Sequence, residues 1–146
     1  MKSLEVLTLK IKINLFEDDP LFKPQRAHFN DAGGDVRSTK DYLIAPGETV
    51  KIPLGFGLEL PDGYMGVMMS RSGLASKGLV SQNAPVDSGY KGQVHAIITN
   101  TTNDLKKIER FDRIAQLVII PIMVADFVEE FGNERTSDGF GSTGVK

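Results

Sequence analysis

The sequence predicts an all-β domain of the sandwich, jelly-roll or small-barrel class. Three features lead to this prediction: short stretches in which apolar and polar residues alternate, closely spaced turns rich in glycine and proline, and almost no helical periodicity. The chain has 146 residues, of which 40% are hydrophobic, and this suits one domain with a single core. We therefore expect residues 1–131 to form one β domain.

The first predicted strands are marked by alternation. Residues 7–15 place an apolar side chain at every second position, as in a strand with one buried face. The same pattern runs through residues 50–60, where Gly55 and Gly57 indicate a bulge or a bend. A strong turn signal follows at residues 61–63. The next stretch, up to Met69, is predicted to be the returning arm of a hairpin.

Shorter signals predict the remaining regular structure. Residues 71–77 are the one candidate helix, and it is short. Residues 94–98 alternate again, a polar turn is expected at residues 100–104, and the nearly continuous apolar residues 114–123 predict a strand. Residues 124–131 could form one more strand.

Composition narrows the possible chemistry. The chain has no cysteine, which excludes disulfides, thiolate nucleophiles and cysteine-based zinc sites. Its two isolated histidines argue against a histidine-rich metal site. A functional metal would need oxygen ligands, which points to Mg²⁺. The net charge is −2 and no long run of lysine or arginine is present, so we do not expect stable nucleic-acid binding.

Targeting signals are not evident in the sequence. The apolar run at residues 117–120 ends at Pro121, far short of the roughly 20 residues that a membrane helix needs. Glu5 lies where a signal peptide has an apolar stretch. We therefore expect a cytoplasmic protein that does not span a membrane.

Five segments rich in glycine, charged and hydroxyl residues interrupt the strand pattern. They are residues 31–38, 70–78, 83–92, 112–117 and 135–144. Loops on a rigid β scaffold commonly carry functional sites. The last of the five lies in a glycine-rich C-terminal segment, residues 132–146, which has little to bury and is expected to be mobile. Such a segment is either dispensable or a lid.

Each segment has both a chemical and an ordinary structural interpretation. An arginine and a hydroxyl at the start of a short helix suit phosphate oxygens, or form a simple helix start. Asp87 could activate a water and Tyr90 could pack on a sugar, or the two belong to a hairpin with a buried tyrosine. Residues 112–117 alone resemble a plain strand. In the tail, arginine, serine and threonine between glycines suit phosphate, or the segment is disordered.

Taken together and in this order, the five segments resemble the five motifs of the trimeric deoxyuridine triphosphatases (dUTPases). The closest matches are residues 71–75, Asp87 with Tyr90 and Gly92, residues 112–117, and residues 139–144. The resemblance implies a distorted jelly-roll subunit in a homotrimer. It also implies active sites at the subunit interfaces, with the tail of one chain closing the site of another, and Mg²⁺-dependent hydrolysis of dUTP to dUMP and pyrophosphate.

The resemblance also assigns roles to the candidate catalytic residues. Asp87 would activate a water for attack on the α-phosphate. Asp35 would help to hold Mg²⁺ through waters. Arg135 would act with the lid on the phosphates. A metal, arginines and oriented N–H groups are the groups that stabilise charge developing at phosphorus.

Substrate contacts follow from the same resemblance. The phosphate chain would be lined by Arg71, Ser72, Gly73 and Gln116. A hairpin from Asn83 to Tyr90 would recognise uracil through backbone groups, with Tyr90 packed against the deoxyribose. The closing lid would contain Arg135, Phe140, Gly141, Ser142 and Thr143. The sequence departs from the family pattern at Phe111, where the family has a glycine.

Two alternatives remain at this stage. A dCTP deaminase-like enzyme shares the fold class and resembles residues 87–92, but residues 93–99 carry no acid to serve as a general base for deamination. The second alternative is a catalytically silent protein that binds a partner when nucleotide closes its tail.

Overall fold

The computed structural model describes residues 8–130 as eleven strands, one short α-helix and one 3₁₀ turn. The strands in chain order are β1 Lys12–Leu15, β2 Gly34–Arg37, β3 Tyr42–Ile44, β4 Thr49–Pro53, β5 Phe56–Glu59, β6 Tyr64–Met69, β7 Leu79–Ser81, β8 Pro85–Val86, β9 His95–Asn100, β10 Lys106–Ile108 and β11 Arg113–Pro121. The helix α1 spans Ser72–Ala75 and the 3₁₀ turn spans Pro20–Phe22. The prediction of an all-β fold with at most one short α-helix is confirmed. Between residues 8 and 130, the helical segments are too short to span a bilayer.

The strands form four small sheets. The largest has the order β2-β11-β6-β8, and its long strand β11 pairs with a strand on each side. A three-stranded sheet has the order β4-β9-β7. Two further sheets are the pairs β1-β5 and β3-β10. All of these pairings are antiparallel.

The core lies between the inner faces of these sheets. In β9 buried and half-buried residues alternate at every position, as a pleated strand requires, and Ala96 and Ile98 point inward. Phe56 of β5 and Ile114 of β11 are likewise buried. The other apolar core residues are Phe22, Val36, Ile44, Ile52, Leu54, Leu58, Leu60, Val67, Met68, Leu79, Val94, Ile108, Ala115 and Leu117.

Asn100 is a buried polar residue at the end of β9. Its side-chain N–H groups donate to the carbonyl oxygens of Ile44 at 2.9 Å and Asp104 at 2.8 Å. Its side-chain oxygen accepts from the backbone N–H of Thr102 at 3.0 Å and from the hydroxyl of the same residue at 2.7 Å. The residue is fully buried, so these bonds replace the water that it loses. Asn100 therefore connects β3, the end of β9 and the turn that follows it.

Two predicted features are wrong. Residues 61–63 do turn, with Gly63 at φ 88°, but β5 and β6 do not form a hairpin. They belong to different sheets, because β5 pairs with β1 while β6 pairs with β11 and β8. Residues 124–130 form no strand and are exposed.

The first strand is only partly as predicted. Regular structure begins at Lys12, and the expected buried face is incomplete. Ile11 and Ile13 are half-buried, whereas Leu9 and Leu15 are more than 40% exposed. By contrast, the expected bend in residues 50–60 is confirmed at Gly55, which has φ 83° and separates β4 from β5.

We expect Asn100→Ala to lower the free energy of unfolding by about 3 kcal/mol, since it removes several buried hydrogen bonds worth about 1 kcal/mol each. Asn103→Ala is the matched control, because Asn103 is exposed in the same turn and should change stability by no more than about 0.5 kcal/mol. Urea denaturation at a fixed protein concentration measures both. Equal stabilities of the two variants would refute the role of Asn100.

Candidate active site

Three neighbouring strands bring the first group of predicted site residues together. Gln116 of β11 lies opposite Asp35 of β2 on one side and opposite Met69 of β6 on the other. The Gln116 side-chain amide donates to the Ser70 carbonyl at 3.0 Å. Arg71 follows Ser70 directly, so the end of β6 delivers it to the same edge of the sheet.

Arg71 reaches across β11 to β2. Its Nε donates to Oδ1 of Asp35 at 3.1 Å, and its Nη1 donates to the carbonyl of Arg113 at 3.1 Å. Nη1 of Arg113 lies 3.5 Å from Oδ2 of Asp35. A guanidinium therefore faces each oxygen of this carboxylate, whose side chain is 21% exposed. The contacts hold both arginines in place at the edge of the sheet.

The helix α1 begins directly after Arg71. Ser72 and Gly73 are exposed, and a Cβ at Gly73 would meet nothing within 4 Å. The first N–H groups of a helix have no acceptor within the helix and can donate to a ligand. Five residues predicted for the phosphate and metal region thus lie near one another: Asp35, Arg71, Ser72, Gly73 and Gln116.

Gly33 allows the loop before β2 to approach β11 closely. A Cβ at this position would lie 2.8 Å from the Leu117 carbonyl oxygen and 2.9 Å from Oε1 of Gln116. Neither distance is compatible with a side chain, and the carbonyl belongs to a paired strand that cannot move freely. The glycine is therefore required for Asp35 and Gln116 to lie side by side.

A metal ion would find a limited set of ligands here. Within residues 8–130 no group of three or more histidine, cysteine, aspartate and glutamate side chains is close enough to hold a metal. Asp35 is the carboxylate of the cluster, and its oxygens already face two guanidiniums. Because Mg²⁺ commonly binds through one or two carboxylates, waters and substrate phosphates, this donor set fits the ion only together with a phosphate ligand.

The second group of predicted residues lies on the loop around Asp87. The Tyr90 N–H donates to the Asp87 carbonyl at 3.1 Å, and the Tyr90 hydroxyl donates to the Gln93 carbonyl at 2.6 Å. The Ser88 hydroxyl donates to the Asp62 carboxylate at 2.9 Å and so ties the loop to the turn between β5 and β6. Tyr90 is 44% exposed, so it is not the buried tyrosine of an ordinary hairpin.

The tyrosine ring lies directly over Gly92. A Cβ at Gly92 would be 2.7 Å from the Tyr90 hydroxyl oxygen and 2.9 Å from the ring carbon that carries it. The glycine therefore leaves space for the ring, while the hydroxyl bond to Gln93 fixes its tip. Asn83 and Asp87, at the two sides of this loop, are both exposed.

The two groups are far apart within one chain. Val86 of β8 lies opposite Gly66 of β6. Because the two strands are antiparallel, the next residue, Asp87, lies beside Met65, on the side away from Arg71. Arg71 comes six positions after Met65 and two positions after the end of β6, which in extended chain is roughly 20 Å. A single chain therefore does not bring Asp87 to the phosphate-binding residues that the sequence predicts.

Five predicted site residues lie beyond the part of the chain that the structure describes, and one observed contact was not predicted. Arg135, Phe140, Gly141, Ser142 and Thr143 lie outside the described residues. Arg113 was recognised as part of a motif but was given no role, although it contacts Asp35. Only its position opposite Arg37 across the β2-β11 pair could have indicated the contact, and that pairing is not visible in the sequence.

Comparisons with known proteins agree with one another. The sequence matches the dUTPase family over residues 20–144. It is 43% identical to the deoxyuridine 5'-triphosphate nucleotidohydrolase of Thermobifida fusca, covering 94% of this chain and 80% of the relative. It is 42% identical to the protein of the same name from Clostridium tetani, covering 94% of this chain and 97% of the relative.

Solved structures show the same similarity. A mutant of the Staphylococcus bacteriophage 80alpha dUTPase with dUpNHpp superposes with a TM-score of 0.78 at 32% identity, covering 94% of this chain and all (100%) of the other. A mutant dUTPase from phage phi11 of S. aureus, described with a structural Mg(II) ion, gives 0.74 at 28% identity, covering 84% and 99%. The expected distorted jelly roll is thereby confirmed.

We expect Gly92→Ala to displace the Tyr90 ring, because the added methyl group would occupy its place. Displacement of the ring, together with loss of the hydroxyl bond, should loosen the turn and speed amide hydrogen exchange at Tyr90 by about tenfold or more. Tyr90→Phe is the control, since it removes the bond without pushing on the ring and should have a smaller effect. Hydrogen exchange followed by mass spectrometry distinguishes them. Identical exchange in both variants would contradict the steric role of Gly92.

Proposed function

We propose residue roles for this chain, which belongs to the dUTPase family and hydrolyses dUTP to dUMP and pyrophosphate. Asp87 activates the attacking water. The phosphate chain is bound by Arg71, Ser72, Gly73 and Gln116. The observation that carries this proposal is the convergence of arginine, hydroxyl and amide groups at the edge formed by β2, β11 and the end of β6.

Charge complementarity supports the phosphate assignment. A triphosphate brings several negative charges into the site, and Arg71 and Arg113 are held there by contacts with Asp35 and the protein backbone. Such preorganised cations stabilise the charge that develops on phosphate oxygens during attack. Ser72 and Gln116 add neutral donors beside them.

We assign Mg²⁺ to the same edge, with Asp35 contributing through bound waters. This role suits a carboxylate that keeps its two arginine partners, because an outer contact does not require their displacement. When bound, the ion would neutralise negative charge on the phosphate oxygens. The phosphates themselves supply the remaining oxygen ligands that the chain lacks.

The environment of Asp87 suits a general base. The side chain is exposed, and within residues 8–130 its carboxylate forms no hydrogen bond or ion pair. It is therefore available to orient a water and accept its proton when substrate arrives. The neighbouring Ser88–Asp62 hydrogen bond restrains the loop that carries Asp87.

The loop around Asp87 would also select the nucleoside. We assign uracil recognition to the backbone groups between Asn83 and Tyr90. The exposed face of the Tyr90 ring would pack on the deoxyribose and leave no room for a 2′-hydroxyl. The tight packing of Tyr90 over Gly92 supports this role, since a fixed ring rejects an additional atom better than a mobile one.

We propose that the protein acts as a homotrimer with shared active sites. The first argument is the separation of Asp87 from Arg71 by roughly 20 Å along β6 and the residues that follow it. The second is the apolar surface of the extended segment after β11, where Phe127 is 94% exposed and Met123 89%. Large exposed apolar groups in a row indicate a protein-protein contact. A second copy would cover them and bring the two half-sites together.

The C-terminal segment, residues 132–146, is proposed to close the site as a lid. Arg135 would contact the phosphates and Phe140 would cover the base, with Gly141, Ser142 and Thr143 approaching the phosphate oxygens. Exclusion of water strengthens electrostatic contacts by lowering the local dielectric constant. Neither alternative from the sequence is favoured: family membership supports dUTP hydrolysis rather than deamination or a silent binding role.

Complementation between two inactive variants tests the shared site. Asp87→Asn keeps the shape of the side chain but removes the base, and should lower kcat by about 10²–10⁴-fold. Arg71→Ala should be similarly impaired. If the two residues act from different chains, refolding the variants together at equal amounts restores Arg71 and Asp87 in about a quarter of the sites.

The control is each variant refolded alone, which should stay inactive. Recovery of dUTP hydrolysis to about a quarter of the wild-type value would support the shared site. No recovery, in mixed oligomers that native mass spectrometry shows to have formed, would mean that both residues act from one chain.

Truncation after Gly132 tests the lid. We expect the Tm to stay within a few degrees, because a change of about 1 kcal/mol shifts it only by that amount in a domain of this size. kcat/KM for dUTP should fall steeply, since the lid contacts act on the substrate and not on the core. Unchanged turnover would exclude a lid, and loss of folding would show that the segment is structural.

A further inference from the structure

The Gln93 side chain closes a gap in the hydrogen bonding between the bend at Gly55 and the residues that precede β9. The Leu54 N–H donates to the Val94 carbonyl at 3.1 Å, and the Val94 N–H donates to the Phe56 carbonyl at 2.9 Å. Gly55 lies between these two bonded residues, and its own N–H donates to Oε1 of Gln93 at 2.9 Å. A side chain thus supplies the acceptor that this buried backbone group needs.

The same residue holds Tyr90 through its main chain. The Tyr90 hydroxyl donates to the Gln93 carbonyl at 2.6 Å, and this bond uses the only proton that a hydroxyl can donate. Gln93 is half-buried, so it joins the exposed ring on one side to the buried bend at Gly55 on the other. We propose that Gln93 is a positioning residue: its side chain fixes the carbonyl that holds the Tyr90 ring, and thereby supports the selection of dUTP over UTP.

Gly55 offers the Gln93 side chain a rigid partner. A Cβ at Gly55 would lie 2.9 Å from Cγ of Phe22 and 3.1 Å from Cγ2 of Thr39, so the backbone of the bend packs directly on both side chains. Phe22 and Thr39 are buried. The Gly55 carbonyl accepts from the Phe16 N–H at 2.8 Å, which ties the bend to the residue that follows β1. The core and the first strand therefore hold the group to which Gln93 is bonded.

The contact requires an acceptor and not an amide as such. A backbone N–H can only donate, so the Gln93 atom that faces Gly55 is the side-chain oxygen. Glutamate has an oxygen at the same position along its side chain, whereas leucine has a similar volume and no acceptor. A buried N–H without a partner is costly, and the cost is relieved if the bend and the Tyr90 loop separate enough to admit water. Gln93→Leu therefore releases the carbonyl that holds Tyr90.

The effect of this release is expected on the sugar and not on the phosphates. The inference rests on the proposed packing of Tyr90 against the deoxyribose. A ring with a fixed tip cannot move aside for an additional oxygen, whereas a released ring can, and a misplacement of about 1 Å can change a rate by about 10²-fold. dUTP and UTP carry the same base and the same phosphates. A change confined to the ring therefore alters the ratio between the two substrates.

The experiment compares kcat/KM for dUTP and for UTP in the full chain, each measured from the release of pyrophosphate. Gln93→Leu should lower the dUTP-to-UTP ratio by about tenfold. Gln93→Glu should keep the wild-type ratio, because it retains the acceptor and its added charge acts equally on both substrates. Asn100→Ala is the control for lost stability, since Asn100 lies at the opposite end of β9, and it should also keep the ratio.

A double-mutant cycle separates the positioning of Tyr90 from a general structural effect. Tyr90→Phe removes the hydroxyl bond directly and should lower the ratio by about as much as Gln93→Leu. If Gln93 acts through this bond, adding Gln93→Leu to Tyr90→Phe should change the ratio no further. Full additivity of the two changes, or the wild-type ratio in a folded Gln93→Leu protein, would overturn the proposal.

Two further measurements distinguish failure of this inference from failure of the proposed function. An unchanged ratio in Tyr90→Ala would refute the proposed contact between Tyr90 and the deoxyribose. Amide hydrogen exchange then decides the positioning role without any substrate: Gln93→Leu should speed exchange at Tyr90 and at Gly55, and Gln93→Glu should not. Equal exchange in these two variants would show that the Gln93 side chain does not hold the loop.

Discussion

The pairing of β11 with a strand on each side is the constraint on which the rest of the site depends. Its register with β2 puts Gln116 opposite Asp35, and its register with β6 puts the same residue next to Ser70. A slip of one residue in either pairing would turn Gln116 to the other face of the sheet. The close approach at Gly33 and the buried face of β11 both oppose such a slip.

The alternation of apolar and polar residues in the sequence predicted those strands in which a residue is buried or exposed according to the face of the pleat that it occupies. The alternating burial of β9 and the bend at Gly55 follow from local residue types, because half-buried strands and tight bends each need particular side chains. The expected hairpin between β5 and β6 failed for the opposite reason. A turn signal specifies that the chain reverses, but the partner of β6 is β11, about 50 residues later in the chain.

The same distinction applies to the candidate site. Glycine-flanked segments marked the residues now found around Asp35, since a close approach of backbone and side chains requires glycine at positions such as Gly33. The contact of Arg113 with Asp35 was missed, because it depends on pairing between strands far apart in sequence. Asp87 and Arg71 show that nearness in sequence does not give nearness in space either. They are close in sequence, but the run of β6 between their positions separates them in space.

The ion pairs of Asp35 make ligand binding depend on the negative charge of the ligand. In the free protein, Asp35 neutralises part of the charge of Arg71 and Arg113 and keeps both guanidiniums in place. A bound triphosphate brings enough negative charge to compensate the arginines while Asp35 stays near them, whereas a monophosphate brings much less. On the proposed assignment, the ion pairs therefore favour the substrate over dUMP, and loss of pyrophosphate weakens the hold on the product. Asp35 thus stabilises the two arginines in the absence of ligand. For the same reason, the arginines bind well only a ligand that carries more negative charge than a minimum set by this carboxylate.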